Sequence, residues 1–236
     1  MEKNPSGYKT ISIVIPVYNE IKTIAEILKR IEAVDLGLEK EIIIVDNGSK
    51  DGTREFLRAH EDRYKLIFQE RNMGMSNSIR KGLAVASGDL LMKHDADLEY
   101  NPQDIVRLVE PILSGKANVV YGSRFLRITD HLAWNYRHHL GNKFLTFISN
   151  VVTNMYLTDI ETCYKVYSRE IFKKITLKSN KFEFEPEITI QFSKHKATIM
   201  EVPISYSPRD YSNGKKVRWW DGFHAIWTIF KISLLY

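Results

Sequence analysis

The sequence His94-Asp95-Ala96-Asp97-Leu98-Glu99 follows the apolar run Leu90-Leu91-Met92 and precedes Asn101-Pro102. A short apolar run of this kind is typical of a buried strand, so the carboxylates stand where a strand ends. Three carboxylates within five residues repel one another strongly unless a proton or a cation lies among them. The stretch therefore predicts a strand followed by a site for a divalent cation that would itself bind a phosphate. A solvated acidic turn is the alternative, because Asp-x-Asp is a common sequence.

Apolar runs alternate with segments of helical periodicity on both sides of this stretch. β-branched and apolar residues predict strands at 11–15, 42–45, 66–68 and 119–121, with Pro16 ending the first, and one more strand at 198–203. Helical spacing predicts helices between them and an apolar helix at 144–155. This alternation predicts an α/β fold with a mostly parallel, doubly wound sheet whose ligands collect beyond the carboxyl ends of the strands. The candidate residues at such ends are Asp46, Asp95, Asp97 and Arg124.

Composition excludes some classes of protein and permits several others. With 236 residues, 44% hydrophobic and 27% charged, the chain fits one substantial globular domain and not a disordered or collagen-like one. A net charge of +5 permits contact with phosphates, nucleic acid or an anionic membrane. The single cysteine, Cys163, and the polar N-terminus without a signal-peptide pattern favour a cytoplasmic location. No apolar run approaches the roughly 18–20 residues that span a bilayer, so any membrane contact is expected to be peripheral.

Several motifs occur in the order and spacing of family 2 glycosyltransferases. They are Pro16-Val17-Tyr18-Asn19-Glu20, the loop 45–53 (VDNGSKDGT), Asn72-x-Gly74, Asp95-Ala96-Asp97 and Gly122-Ser123-Arg124. The chain resembles the dolichol- or polyprenol-phosphate sugar synthase branch of that family. The stretches 159–165 (DIETCYK), 182–187 (FEFEPE), 201–204 (EVPI) and 209–216 continue the resemblance over nearly the whole chain.

The resemblance implies a GT-A fold, with a Rossmann-like sheet flanked by helices, and inverting transfer of a mannose- or glucose-type hexose from a GDP- or UDP-sugar. It implies that Asp97 and Glu99 hold Mg²⁺ or Mn²⁺, with Asp95 shared between the ion and the nucleotide. Asn47 departs from the family pattern, which often has a second Asp there, and Glu99 stands where relatives have Gln. The implied nucleotide-binding residues are Pro16, Tyr18, Glu20, Asp46, Asp95 and Ala96.

On the acceptor side, the resemblance implies that arginines meet the phosphate of a polyprenyl phosphate. Arginine suits this role because its planar guanidinium binds phosphate bidentately and stays charged. Ordinary surface arginines are the alternative. A basic cluster of Lys215, Lys216 and Arg218 is interpreted as a loop that closes over the diphosphate, a patch facing lipid headgroups, or a solvated turn. The implied acceptor-phosphate residues are Arg124, Arg137, Arg209 and Lys215.

The candidate catalytic residues are Asp97, Asp159 and Arg124, and the role of Asp159 depends on the acceptor. A sugar or lipid hydroxyl must lose its proton as it attacks, which would make Asp159 the first candidate base. A polyprenyl phosphate is already an anion and needs positioning more than deprotonation. Asp159 would then orient Lys165 or an arginine, and the sequence leaves both roles open.

The leading hypothesis is a single catalytic domain over residues 1–218, with a nucleotide-binding part at about 10–125 and an acceptor-binding part at about 126–218. Residues 219–236 predict an amphipathic helix, either at the membrane interface or packed on the domain or on a dimer partner. The expected acceptor is a polyprenyl phosphate on the cytoplasmic membrane face. Alternatives are transfer to a saccharide hydroxyl in polysaccharide or glycoprotein glycan assembly, a degenerate transferase, and a basic nucleic-acid-binding module, for which no motif is present.

Overall fold

The structure is a computed structural model, which describes residues 4–126, 136–179 and 183–208. Its strands are β1 (Thr10–Val17), β2 (Glu39–Asp46), β3 (Lys65–Phe68), β4 (Leu90–Lys93), β5 (Val119–Ser123), β6 (Lys165–Ser168) and β7 (Ile199–Pro203). Its helices are α1 (Ile24–Ala33), α2 (Thr53–Arg58), α3 (Met75–Val85), α4 (Ile105–Leu113), α5 (Tyr136–Thr153), α6 (Arg169–Phe172) and α7 (Phe184–Lys194), and a 3₁₀ turn, Pro102–Asp104, precedes α4.

These strands form one sheet in the order β3-β2-β1-β4-β6-β5-β7. β1 runs parallel to β2 and β4, β2 runs parallel to β3, and β5 runs parallel to β7. β6 runs antiparallel to both of its neighbours, β4 and β5. The predicted α/β fold with a mostly parallel sheet is therefore confirmed, with β6 as one antiparallel strand inside it.

Both faces of the sheet are covered, because alternate residues of the central strands enter different hydrophobic clusters. Ile13 and Ile44 pack in a cluster with residues of α1 and α4. Val14 and Ile43 pack in a second cluster with residues of α3, α5 and α7. A strand buried on both sides reads as a continuous apolar run, which is how β1 and β2 appear in the sequence.

Several predicted boundaries were wrong, and three elements, β6, α6 and α7, were not predicted. β1 does not end at Pro16 but continues to Val17, and Pro16 lies opposite Val45 of β2. Proline is tolerated at this position because the pairing of β1 with β4 has already ended at Val14, so the missing Pro16 N–H breaks no hydrogen bond to β4. The helix predicted at 144–155 begins eight residues earlier, at Tyr136. β6 and α7 were missed because their sequences were interpreted through charged motifs. Within the described ranges, no helix is both long and apolar enough to cross a bilayer.

Gly82 on α3 permits close packing of this helix against the sheet. A Cβ at this position would lie 2.3 Å from Val14 Cγ1 and 3.2 Å from Val45 Cγ2. We expect Gly82→Ala to lower the free energy of unfolding in urea by about 1–3 kcal/mol, because the branched neighbours cannot move away cheaply.

The matched control is Gly141→Ala on α5, where a Cβ would meet no atom of the described residues within 4 Å. It should raise stability by about 0.5–1 kcal/mol, since alanine favours the helix. Equal stability of the two variants would contradict the tight contact between α3 and β1.

Candidate active site

The loops after β1 and β2 are joined into one unit at the carboxyl edge of the sheet. The Asn19 backbone N–H donates to Ser49 Oγ at 2.9 Å, and Asn19 Oδ1 accepts from the Lys50 N–H at 2.8 Å. The Glu20 N–H donates to Thr53 Oγ1 at 3.0 Å. Asn19 has φ 54°, a left-handed conformation that asparagine tolerates. The half-buried candidates on this unit and the adjoining end of β1 are Pro16, Tyr18 and Glu20.

Asp46, the last residue of β2, is fully buried and bonded to the protein itself. Its Oδ1 accepts from the Ser49 N–H at 3.1 Å, and its Oδ2 lies 2.6 Å from Nη2 and 2.8 Å from Nε of Arg54. The Arg54 guanidinium also lies over the Phe68 ring, 5.5 Å from its centroid. Sequence reasoning missed Arg54, which no motif marks. The assignment of Asp46 to the nucleoside stays a prediction.

Asn47 links the end of β2 to the loop that precedes α3. Its Oδ1 accepts from the Met73 N–H at 2.8 Å, and its Nδ2 donates to Asn72 Oδ1 at 3.1 Å. The backbones also approach closely here, because a Cβ on Gly48 would lie 2.7 Å from the carbonyl carbon of Arg71. An aspartate at position 47 would lack the donor to Asn72, so the departure from the family pattern has a structural role.

The carboxylates after β4 lie on a turn and not on an extended chain. Leu98 has φ 63°, and Asp97 Oδ1 accepts from the Glu99 N–H at 3.2 Å. An extended chain would point Asp97 and Glu99 to the same side, but the turn at Leu98 breaks that alignment. Glu99 is placed instead by a residue from beyond β7, Tyr206, whose hydroxyl donates to Glu99 Oε2 at 2.6 Å.

Asp95 has a cationic partner within the protein. Lys93 Nζ lies 3.4 Å from Asp95 Oδ1 and 2.8 Å from Glu185 Oε1. Burial acts to raise the pKa of Asp95, but the charge of Lys93 and the hydrogen bond from Cys163 together hold that pKa below its ordinary value. His94 is buried, and burial lowers its pKa to about 4, so the ring is neutral when it bonds to Tyr164 Oη at 2.7 Å. Neighbouring side chains therefore fix the start of the acidic turn.

The residues of this turn fit a hard divalent cation, although the structure does not gather them around one point. No three His, Cys, Asp or Glu side chains in residues 4–126, 136–179 and 183–208 are grouped to hold a metal. The side chains present nevertheless offer carboxylate oxygens, the ligands that Mg²⁺ and Mn²⁺ prefer. Among the described residues, buried Asp95 Oδ1 accepts no hydrogen bond and has the Lys93 ammonium, 3.4 Å away, as a charged neighbour, so it could still coordinate an ion. The assignment of Asp95, Asp97 and Glu99 as ligands stays a prediction.

Arg124 and Asp159 form a buried bidentate ion pair after β5. Arg124 Nε donates to Asp159 Oδ2 at 2.7 Å and Nη2 donates to Oδ1 at 2.8 Å, while the Arg124 backbone N–H donates to Oδ2 at 3.1 Å. Burial acts to raise the pKa of Asp159, but Arg124 more than offsets this and keeps it below its ordinary value. Of the two roles left open for Asp159, this geometry favours orienting an arginine. The Arg137 side chain, Arg209 and Lys215 lie outside the described residues.

Comparison with known proteins assigns the chain to a family. The sequence profile described as Glycosyl transferase family 2 matches residues 12–176, which includes every strand from β1 to β6. The chain belongs to glycosyl transferase family 2. The motifs that carried the resemblance up to Arg124 and Asp159 all lie within the matched residues.

Curated relatives and solved structures resemble the chain over most of its length. A UDP-N-acetylglucosamine--dolichyl-phosphate N-acetylglucosaminyltransferase of Methanococcus voltae is 27% identical, over 96% of this chain and 97% of that protein. A dolichol-phosphate mannosyltransferase of Pyrococcus furiosus is 28% identical, over 87% of this chain but 58% of that protein. The glucosyl-3-phosphoglycerate synthase of Mycobacterium tuberculosis, crystallised with Mn²⁺, UDP-glucose and phosphoglyceric acid, superposes with a TM-score of 0.73 at 20% identity, covering 97% of this chain and 80% of that one. This last likeness confirms the fold.

Two lysines and a glutamate form a buried ionic cluster that the sequence did not predict. Its members are Lys93, Lys165 and Glu185. Lys165 Nζ donates to the carbonyl oxygens of Ile160 at 2.8 Å and Thr162 at 2.6 Å, and it forms an ion pair with Glu185. The prediction that Asp159 orients Lys165 is therefore not supported by a contact. Glu161 Oε1 is buried and accepts no hydrogen bond from the residues that the structure describes, and burial, with the charge of Glu185, raises the Glu161 pKa to about 7. The sequence feature that could have indicated this cluster is a lysine at the end of each of two short apolar strands, Lys93 in β4 and Lys165 in β6.

The raised pKa of Glu161 makes stability depend on pH. The folded-state pKa of about 7 exceeds the ordinary value of 4.5. The contribution of Glu161 to the free energy of unfolding is therefore fully present below pH 4.5 and is lost as the pH rises through 7. We expect Glu161→Gln to match the wild type in thermal unfolding near pH 5 and to be more stable than it near pH 8.

The control is Glu61→Gln, in an exposed position before β3. Its difference in unfolding temperature from the wild type should stay constant over the same range. A constant difference for Glu161→Gln as well would contradict the raised pKa.

Proposed function

We propose that this family 2 glycosyltransferase moves a hexose from a GDP- or UDP-sugar to a polyprenyl phosphate by direct displacement, with inversion at the anomeric carbon. The observation that supports this acceptor is the buried Arg124–Asp159 pair. Asp159 is held ionised and bonded to Arg124, which makes it a poor base, whereas an ionised phosphate oxygen needs no base. The names of the Methanococcus and Pyrococcus relatives, which include dolichyl phosphate or dolichol phosphate, support the same class of acceptor.

The donor half of the site lies at the turn after β4. Asp97 and Glu99, with Asp95, would hold Mg²⁺ or Mn²⁺, which when bound stabilises the charge of a departing nucleoside diphosphate. Crystal structures of the mycobacterial synthase with UDP and either ion support this choice. Lys93 holds Asp95 and Tyr206 holds Glu99, so two of the three carboxylates have fixed partners before the donor binds.

Transfer to a saccharide hydroxyl is a second candidate, because one observation favours it. Glu161 is a carboxyl with a pKa of about 7 and a buried oxygen without a hydrogen-bond partner, properties that suit a general base at neutral pH. It lies two residues from Asp159, in the loop before β6. This candidate differs from the first in its acceptor, so the reaction product discriminates between them.

The test supplies radiolabelled GDP-mannose, UDP-glucose or UDP-GlcNAc, with Mn²⁺, to the full chain and vesicles that contain a polyprenyl phosphate. We expect label from at least one donor in an organic-extractable, mild-acid-labile lipid. Asp97→Ala should abolish this product, because an ion ligand is lost, and the exposed Asp62→Ala should not. In a parallel reaction that also contains a water-soluble oligosaccharide, label only in that oligosaccharide would overturn the proposed acceptor and support the hydroxyl.

We further propose that the enzyme binds the cytoplasmic face of a membrane through α5. Five side chains of this helix are each more than half exposed, and their spacing of four, four, three and four residues places them on one face. Residues 136–156 include no Asp or Glu but do include Lys143 and two histidines. An apolar face without negative charge suits the interface of an anionic bilayer. The residues are Tyr136, Leu140, Phe144, Phe147 and Val151.

Removing apolar side chains from this face should weaken vesicle binding. We expect Leu140→Ser/Val151→Ser to lower partitioning onto anionic vesicles about fivefold to tenfold in a sedimentation assay. The control, Val85→Ser/Val106→Ser, changes exposed aliphatic residues on α3 and α4 and should have no such effect. A changed oligomeric state with unchanged vesicle binding would show a subunit interface and overturn the proposal.

A further inference from the structure

The segment after β7 is fixed against the site by bonds to three different elements. The Ile204 N–H donates to the Ser123 carbonyl at 3.1 Å, and the Ser205 N–H donates to Asp104 Oδ2 at 2.8 Å. The Ser207 N–H donates to the Glu99 carbonyl at 2.9 Å, and Tyr206 forms an antiparallel bridge with Tyr100. The backbone on either side of Tyr206 is therefore held in place.

The Tyr206 side chain contacts both halves of the site. Its hydroxyl donates to Glu99 Oε2 at 2.6 Å, and the Arg124 guanidinium lies over its ring, 5.1 Å from the centroid. Its ring also packs on Tyr100, with centroids 5.2 Å apart. Burial, followed by the charge of Glu99, raises the pKa of Tyr206 well above its ordinary value, so the hydroxyl stays a donor.

We propose that Tyr206 is a positioning residue that couples the donor half of the site to the acceptor half. Its hydroxyl orients the Glu99 carboxylate toward the cation of the nucleotide sugar, and its ring holds the Arg124 guanidinium toward the acceptor phosphate. This assignment rests on the proposed function. The sequence motifs could not indicate the contact with Glu99, because Tyr206 lies 107 positions from Glu99 in the sequence.

Two substitutions separate the two contacts. Tyr206→Phe removes the hydroxyl and keeps the ring, so calorimetry on the full chain should show about tenfold weaker binding of UDP or GDP with Mn²⁺. The KM for the polyprenyl phosphate should stay unchanged. Tyr206→Leu removes both contacts, and it should also raise that KM about threefold to tenfold, the range of a partly buried cation–π contact.

Tyr64→Phe is the matched control. The Tyr64 hydroxyl donates to Glu32 Oε1 at 2.8 Å, which is the same kind of tyrosine–carboxylate bond. Glu32 belongs to α1, away from the site. This variant should bind the Mn²⁺–nucleotide and the acceptor as the wild type does. Tight Mn²⁺–nucleotide binding by Tyr206→Phe would overturn the coupling, as would a loss that merely follows a lowered unfolding temperature. A wild type that binds neither UDP nor GDP with Mn²⁺ would overturn the proposed function itself, and this assignment with it.

Discussion

The carboxylate of Glu185 is shared by two buried lysines, and the arrangement of the site depends on this interaction. Lys93 and Lys165 are 5% and 2% exposed, and each forms an ion pair with Glu185. Removing one member of a buried ion pair leaves an uncompensated charge, which costs about 3–5 kcal/mol. Because Lys93 ends β4, Lys165 begins β6 and Glu185 lies in α7, the shared carboxylate fixes the antiparallel strand beside the acidic turn. Lys93, held in this way, is then the cation that Asp95 meets.

Different ion pairs therefore stabilise the acidic turn and Arg124, namely Lys93 with Asp95 in the turn and Asp159 with Arg124. The charge of Asp95 is neutralised by Lys93, whereas Asp97 and Glu99 follow on a turn made by the left-handed backbone of Leu98. Arg124 is balanced by Asp159, but a guanidinium has five N–H donors and Asp159 accepts from two of its nitrogens. The ion pair therefore orients the Arg124 guanidinium through two of its nitrogens. The carboxylate of Asp95 and the guanidinium of Arg124 thus each have their own counter-charge, Lys93 for the first and Asp159 for the second.

Much of the fold could be predicted, because strands buried on both faces leave continuous apolar runs. Such runs located β1, β2 and β4 and placed Asp46 and Asp95 at the correct edge of the sheet. β6 could not be found in this way, since it has four residues and begins with a buried lysine whose partner lies 20 positions away. Contacts between distant residues also decide the site, and Arg54 with Asp46 and Tyr206 with Glu99 leave no local pattern. The turn between Asp97 and Glu99 could not be predicted either, because the backbone of Leu98 takes a conformation that leucine rarely adopts.

Asp159 and Glu161 lie two residues apart, and their environments shift their pKa values in opposite directions. A shifted carboxyl near a site is a candidate base, but ion pairs in a protein interior produce the same signature. For Glu161 the causes are burial and the charge of Glu185, and Glu185 is there to neutralise Lys93 and Lys165. The raised pKa thus follows from the buried ionic cluster whether or not a substrate needs a base. Asp159, in contrast, is paired with the arginine that would meet the acceptor, and keeping it ionised serves that arginine. The physical origin of the two shifts therefore favours an acceptor that arrives as an anion.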